Sequence, residues 1–168
     1  MALIVETGAG LPAADSYMSV QDALTYHTAR GNVDWLHLTT VEAKERALRK
    51  ATDYMTRVYR QAWKGQRVSS TQRLDWPRYD VCVDGYSLPS TTVPLEVAEA
   101  CAELALRVLT GELNPDAGPQ KVGVKVGPIE IKYAEGSRPG RRFPAVDSLL
   151  GPFLKAGGSG NSAMVVRS

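Results

Sequence analysis

The sequence predicts a mainly α fold: a small helical bundle of three main helices plus a short C-terminal helix, with one β-hairpin and extended terminal arms. Three observations predict it. Apolar residues recur at three-and-four spacing in three stretches, each opened by a helix-start signal. A Gly-Pro pair joins two alternating runs late in the chain, as in a hairpin. A tail rich in Gly and Ser closes the chain. At 168 residues the chain suits one domain with arms. We divide it into a helical domain over 1–155, with the hairpin at 121–134, and a flexible C-terminal arm over 156–168.

The elements follow in order. Ala2–Glu6 is a short apolar run, either a strand or an arm. Gly8-Ala9-Gly10-Leu11-Pro12-Ala13 spells the dinucleotide fingerprint G-x-G-x-x-A, but Pro12, Asp15 and Ser16 interrupt the helix that must start there. The stretch therefore reads as a flexible turn. Ser19-Val20-Gln21-Asp22 is a capping-box variant, opening a helix to Arg30 with Val20, Ala23, Leu24 and His27 on one stripe. Gly31-Asn32 ends it, and Trp35 and Leu36 anchor the connection.

A second box, Thr39-Thr40-Val41-Glu42, opens a long helix to about Ala62. Ala47, Leu48, Ala51, Tyr54, Met55, Val58 and Tyr59 mark its buried face; Arg46, Arg49, Lys50, Asp53, Arg57 and Arg60 mark the outer one. Trp76-Pro77 blocks further helix, and 79–92 reads as loop with a turn at Asp84-Gly85. The helix from Val93 to Thr110 is the most apolar, and Glu96, Glu99 and Glu103 keep a narrow acidic edge, so we expect it at the centre. In the hairpin, a turn at Gly127-Pro128 sets Val126 opposite Ile129, Val124 opposite Ile131, Val122 opposite Tyr133 and Lys125 opposite Glu130. Pro144 opens the short helix, which runs to Leu150 before Gly151-Pro152.

Net charge is +2, but it is distributed in blocks: residues 1–41 carry −3, 42–78 carry +6, 79–135 carry −5 and 136–168 carry +4. Alternating blocks suit head-to-tail association, and equally a mixed soluble surface. Cys82 and Cys101 do not make a disulfide framework in a chain this long, so a reducing compartment is expected. His27 and His37 have no partner at metal-ligand spacing, and we expect neither metal nor cofactor. Met1–Val5 is too short for a leader, and no run reaches 18 apolar residues, so no membrane span is expected.

The informative stretch is Trp63–Arg78. It holds two of the three tryptophans and follows the basic face of the long helix. Trp63 and Trp76, with Pro77, read as packing anchors. Arg57, Arg60, Lys64 and Arg67 are candidates for contact with phosphate or an acidic partner, and equally a solvated face. A second basic group, Arg138, Arg141 and Arg142, lies in the loop after the hairpin. Met164, Val165 and Val166 end the tail and could dock on a neighbour as an added strand.

Several pieces, taken in order, resemble a phage protein family labelled DnaT-like single-stranded-DNA binding. They are Ala14-Asp15-Ser16-Tyr17 with Tyr26 and Arg30-Gly31, Ala51-Thr52-Asp53-Tyr54, Trp63-Lys64-Gly65, Gln72, Trp76-Pro77-Arg78 and Val93-Pro94. Val126-Gly127-Pro128-Ile129 and Phe143-Pro144-Ala145-Val146-Asp147 complete the set. Members resemble head–tail connector (adaptor) proteins of tailed bacteriophages. The resemblance implies a structural virion protein at the head–tail neck, present in the host cytoplasm during assembly. It implies a ring, usually of twelve copies, beneath the portal protein. Further partners would be a tail-side connector or tail terminator protein and double-stranded DNA passing through the lumen.

Three functions compete at this level. A connector has no chemistry and holds DNA non-specifically. A single-stranded-DNA-binding replication protein would stack bases on Trp63, Trp76 and Tyr59 and track the backbone with Arg57, Arg60, Lys64 and Arg67. Exposure of the tryptophans discriminates the two. For an enzyme we find no nucleophile with a base, no paired carboxylates and no phosphate loop.

Overall fold

A computed structural model describes residues 2–114, 123–126, 129–132 and 143–155. Ala2–Glu6 runs along the domain, and Val5 bridges to Ser16 in parallel. The glycine turn that follows is not the loose one expected. Glu6 is buried, and its Oε1 accepts the N–H groups of Gly8 at 2.8 Å and Gly10 at 3.0 Å. Its Oε2 accepts the Leu11 N–H at 2.7 Å. The amides that would cradle a phosphate in a dinucleotide site are taken by the chain's own carboxylate. Gly8 is required here: its φ is +105°, and a Cβ would stand 1.9 Å from the Thr91 carbonyl oxygen.

Helix α1 spans Val20–Ala29. Ser19 caps it, accepting the Asp22 N–H at 3.0 Å and donating its hydroxyl to Asp22 Oδ2 at 2.6 Å. A short helix α2, Val33–His37, occupies the connection and buries Trp35. Five residues are too few for periodicity to show in the sequence. Helix α3 spans Val41–Tyr59, with Thr40 accepting the Ala43 N–H at 3.3 Å, so the box is used one residue late. It stops short of Ala62, whose N–H instead turns back to the Tyr59 carbonyl. Thr52 joins the buried face, its hydroxyl donating to the Leu48 carbonyl at 3.0 Å, while Val58 stays 45% exposed. Spacing locates the stripe but not where its cover ends.

Two short ladders follow. Strand β1, Gln66–Arg67, pairs antiparallel with β2, Arg78–Tyr79. Strand β3, Cys82–Val83, pairs with β4, Tyr86–Ser87, around Asp84 and Gly85 with φ of 52° and 85°. The turn is where the sequence places it, but 79–92 is not plain loop. Strands of two residues carry too little alternation to be read. Helix α4 spans Leu95–Val108 and packs against α1, α3 and the later α5, which spans Pro144–Leu150. It is the central helix the sequence predicts. Val97, Ala100, Cys101, Ala102, Leu104 and Ala105 are buried, while Ala98, Val108 and Leu109 are half-buried. Strands β5, Gly123–Val126, and β6, Ile129–Lys132, pair in the expected register, Val124 with Ile131 and Lys125 with Glu130. The Gly127-Pro128 turn and the Val122–Tyr133 pair lie outside the described residues. A single 3-10 turn, Gly151–Phe153, closes the described chain.

The acidic edge of α4 is used by α1. The Tyr26 hydroxyl donates to Glu103 at 2.9 Å, and Arg30 reaches Glu99 at 3.4 Å while its guanidinium lies 3.5 Å from the Tyr26 ring centroid. Between them His27 is fully buried, its ring centroid 4.7 Å from that of Trp35. The Asn32 side-chain N–H donates to His27 Nδ1 at 3.0 Å, which fixes the neutral tautomer protonated at Nε2. Burial holds the His27 pKa below its ordinary value, against an opposing pull from Glu103.

The folded protein resists a proton that the unfolded chain accepts near pH 6.5, so His27 makes stability fall as pH drops below that point. Urea unfolding between about pH 7.5 and 5.5 is expected to show this slope, at most about 1.4 kcal/mol per pH unit, and His27→Gln to flatten it.

Candidate nucleic-acid interface

The segment between α3 and β3 is a coil-rich loop that buries two indoles. Trp63 is 1% exposed and Trp76 is fully buried, with ring centroids 5.7 Å apart and edge-on. The stack extends to Tyr59 at 6.0 Å from Trp63 and to Phe153 at 5.8 Å from Trp76. Tyr59 is buried too, and its hydroxyl donates to Asp147 at 2.6 Å. None of the three rings that a base-stacking platform would use faces solvent. Pro77 is buried beside Trp76, after a cis peptide bond.

Burying such a loop requires partners for its backbone. Arg78 supplies three of them. Its Nε donates to the Lys64 carbonyl at 2.7 Å, Nη2 to Gly65 at 2.7 Å and Nη1 to Asp75 at 3.1 Å. Gln72 donates to the Leu74 and Pro77 carbonyls at 2.9 and 3.0 Å, and accepts the Ser69 N–H at 2.9 Å. From the N-terminal segment, the Tyr17 hydroxyl oxygen accepts the N–H groups of Asp75 at 2.9 Å and Trp76 at 3.3 Å. Burial pushes the Tyr17 hydroxyl pKa well up, with the Asp75 charge adding to the shift, so it stays protonated. Gly65 sits at φ +62°, and a Cβ there would fall 2.1 Å from the Tyr79 carbonyl oxygen.

The structure separates the predicted basic cluster. Arg57 is exposed and lines a cavity of about 610 Å³ with Lys50, Asp53 and Tyr54. Lys64 is tied down, its Nζ donating to the Pro152 carbonyl at 2.7 Å and to Cys82 at 3.3 Å. Arg67 is half-buried and donates from Nη1 to the Gln72 carbonyl at 2.9 Å. Arg60 is exposed and lies 3.9 Å from Asp75 Oδ1. Arg138, Arg141, Arg142, Met164, Val165 and Val166 lie outside the described residues.

Sequence reading missed Asp75, Arg78 and Tyr17 as site residues. Asp75 is 1% exposed, and neither carboxylate oxygen accepts a hydrogen bond of standard geometry. Burial raises its pKa, against the pull of Arg60, Arg78, the Trp63 indole and Arg67. Its place beside Trp76 was no sufficient signal, since Asp34 stands next to the buried Trp35 and stays exposed. Among the described residues no three His, Cys, Asp or Glu side chains gather as a metal site, and no helix is long and apolar enough to cross a membrane.

The family described as "Putative DnaT-like ssDNA binding protein" matches residues 1–168. The chain belongs to this DnaT-like family. No curated protein and no solved structure matches it. In this DnaT-like chain, Trp63, Gln72, Trp76, Pro77 and Arg78 all build one loop.

Replacing Arg78 by Lys leaves buried carbonyls without donors. R78K is expected to lower stability by about 3 kcal/mol, read as a fall in the urea midpoint.

Proposed function

We propose that this chain binds DNA and catalyses no reaction on it. Family membership across residues 1–168 carries the reading. The structure supports a particular mode for it. Contact runs through guanidinium groups to backbone phosphates, from Arg57, exposed on α3, and, around a separate cavity, from Arg60 just past the end of α3 and from Arg67. Stacking on Trp63, Trp76 or Tyr59 is excluded from this mode because their rings are packed inside. Any base stacking falls to the exposed aromatics Tyr79 and Tyr86, at 39% and 77% exposure.

A second reading places the same surface in a phage neck. There the chain is a head–tail connector, a ring of about twelve copies bound to the portal, passing double-stranded DNA. The buried tryptophans, which cannot stack bases, are the observation this reading rests on.

One comparison separates the readings. Binding of matched single- and double-stranded oligonucleotides is measured across a salt series, beside the mass of the protein alone and mixed with portal rings. Tight, salt-dependent binding with a single-strand preference and no portal association supports the first reading. A ring-sized mass increment on the portal, lost on truncation after Leu154, supports the second.

A further inference from the structure

The basic residues of the loop are not evenly spread over its surface. Arg60, Arg67 and Arg78 converge with Gln61 and Gln66 on one cavity of about 290 Å³, and the Asp75 carboxylate lies at its base. Arg57 lines a different cavity, and Lys64 spends its ammonium on two carbonyls. Three guanidiniums against one carboxylate leave the cavity with two uncompensated positive charges.

The state of each group is informative. Arg78 is locked by three carbonyls and Arg67 by one, so both keep their places without a ligand. Arg60 is only loosely paired: 3.9 Å separates it from Asp75, and nearly half its side chain is exposed. It can turn to a ligand without breaking a close hydrogen bond. Asp75 is buried with no close hydrogen bond to its carboxylate, so its charge is held by the surrounding arginines and the Trp63 indole. Its neighbours are the arginines, whose mutual repulsion it reduces. It is a positioning residue: it keeps like charges together at one mouth, so that an arriving anion meets a preformed site.

We infer that Arg60 and Arg67, set over the buried Asp75 carboxylate, form a seat for a single phosphate group of the DNA backbone. The inference rests on the DNA-binding reading and names the contact that reading leaves open. The lining is polar, which disfavours an apolar ligand, and its net positive charge rejects a cation. The planar forks of two arginines match the two non-bridging oxygens of a phosphodiester.

Two probes test it. With inorganic phosphate, the Nε–Hε resonances of Arg60 and Arg67 are expected to move together on one saturating curve while that of Arg46, on α3 outside the cavity, stays put. An unsaturable drift of all arginines alike overturns the seat. With a thymidine oligonucleotide, R60Q and R67Q are each expected to reduce the slope of log affinity against log salt by about 0.7. Arg60 is exposed but pairs with the buried Asp75, so the urea midpoint of R60Q is read beside its slope and R60K, which keeps the charge, is expected to restore the slope. An unchanged slope in R60Q overturns the seat even where the wild type binds DNA. Saturable phosphate binding with no oligonucleotide binding upholds the anion seat, overturns its assignment to the DNA backbone and removes the DNA-binding reading.

Discussion

A loop without regular structure can bury two tryptophans only if something else satisfies its backbone. That constraint organises this protein. Indoles bring large apolar area to the stretch after α3, but they drag peptide groups inside with them. Helices and long strands satisfy such groups through their own ladders; this loop has only the two-residue ladder of β1 and β2. The work passes to side chains. Arg78 and Gln72 donate to carbonyls, and the Tyr17 hydroxyl oxygen receives two N–H groups. The N-terminal segment and the loop therefore depend on each other, although 58 residues separate Tyr17 from Asp75.

The helices supply the frame. Helix α4 sits among α1, α3 and α5, and its apolar residues wrap more than one face. The far end of the domain fastens the loop: Trp63 bridges to Leu154, the Lys64 N–H reaches the Phe153 carbonyl, and the Lys155 N–H reaches that of Ala62. The result is a basic rim set on a rigid base. Arg60 is only loosely paired at that rim, while Arg67 and Arg78 are held by carbonyls.

The three main helices, the short C-terminal helix and the hairpin register were legible because each rests on local spacing: Ser19 and Thr40 as caps, the stripe from Ala47 to Tyr59, the pairing of Val124 with Ile131. Helix α2 and the two short ladders were not, since they are shorter than the periods that reveal such elements. The glycine turn misled in an instructive way. Gly8 and Gly10 do present amides to a carboxylate, but the acceptor is Glu6, close in sequence and unmarked by the motif. The candidate site was half legible. Basic residues were visible as a cluster, but which are free depends on carbonyls contributed by Pro152, Cys82 and Gln72, and no side-chain pattern records those. Asp75 is the clearest case: a single acid in a basic block reads as a diluted charge, and only its burial makes it central.

The packed aromatic row has an optical meaning. All three tryptophans are within 1% of complete burial, and Trp63 and Trp76 are edge to face with each other. Their emission belongs to the interior, and a nucleobase has no direct path to quench it. A fluorescence change on adding DNA would therefore report the loop rearranging around its tryptophans, not bases resting on them. A silent tryptophan signal would be compatible with full occupancy of the surface.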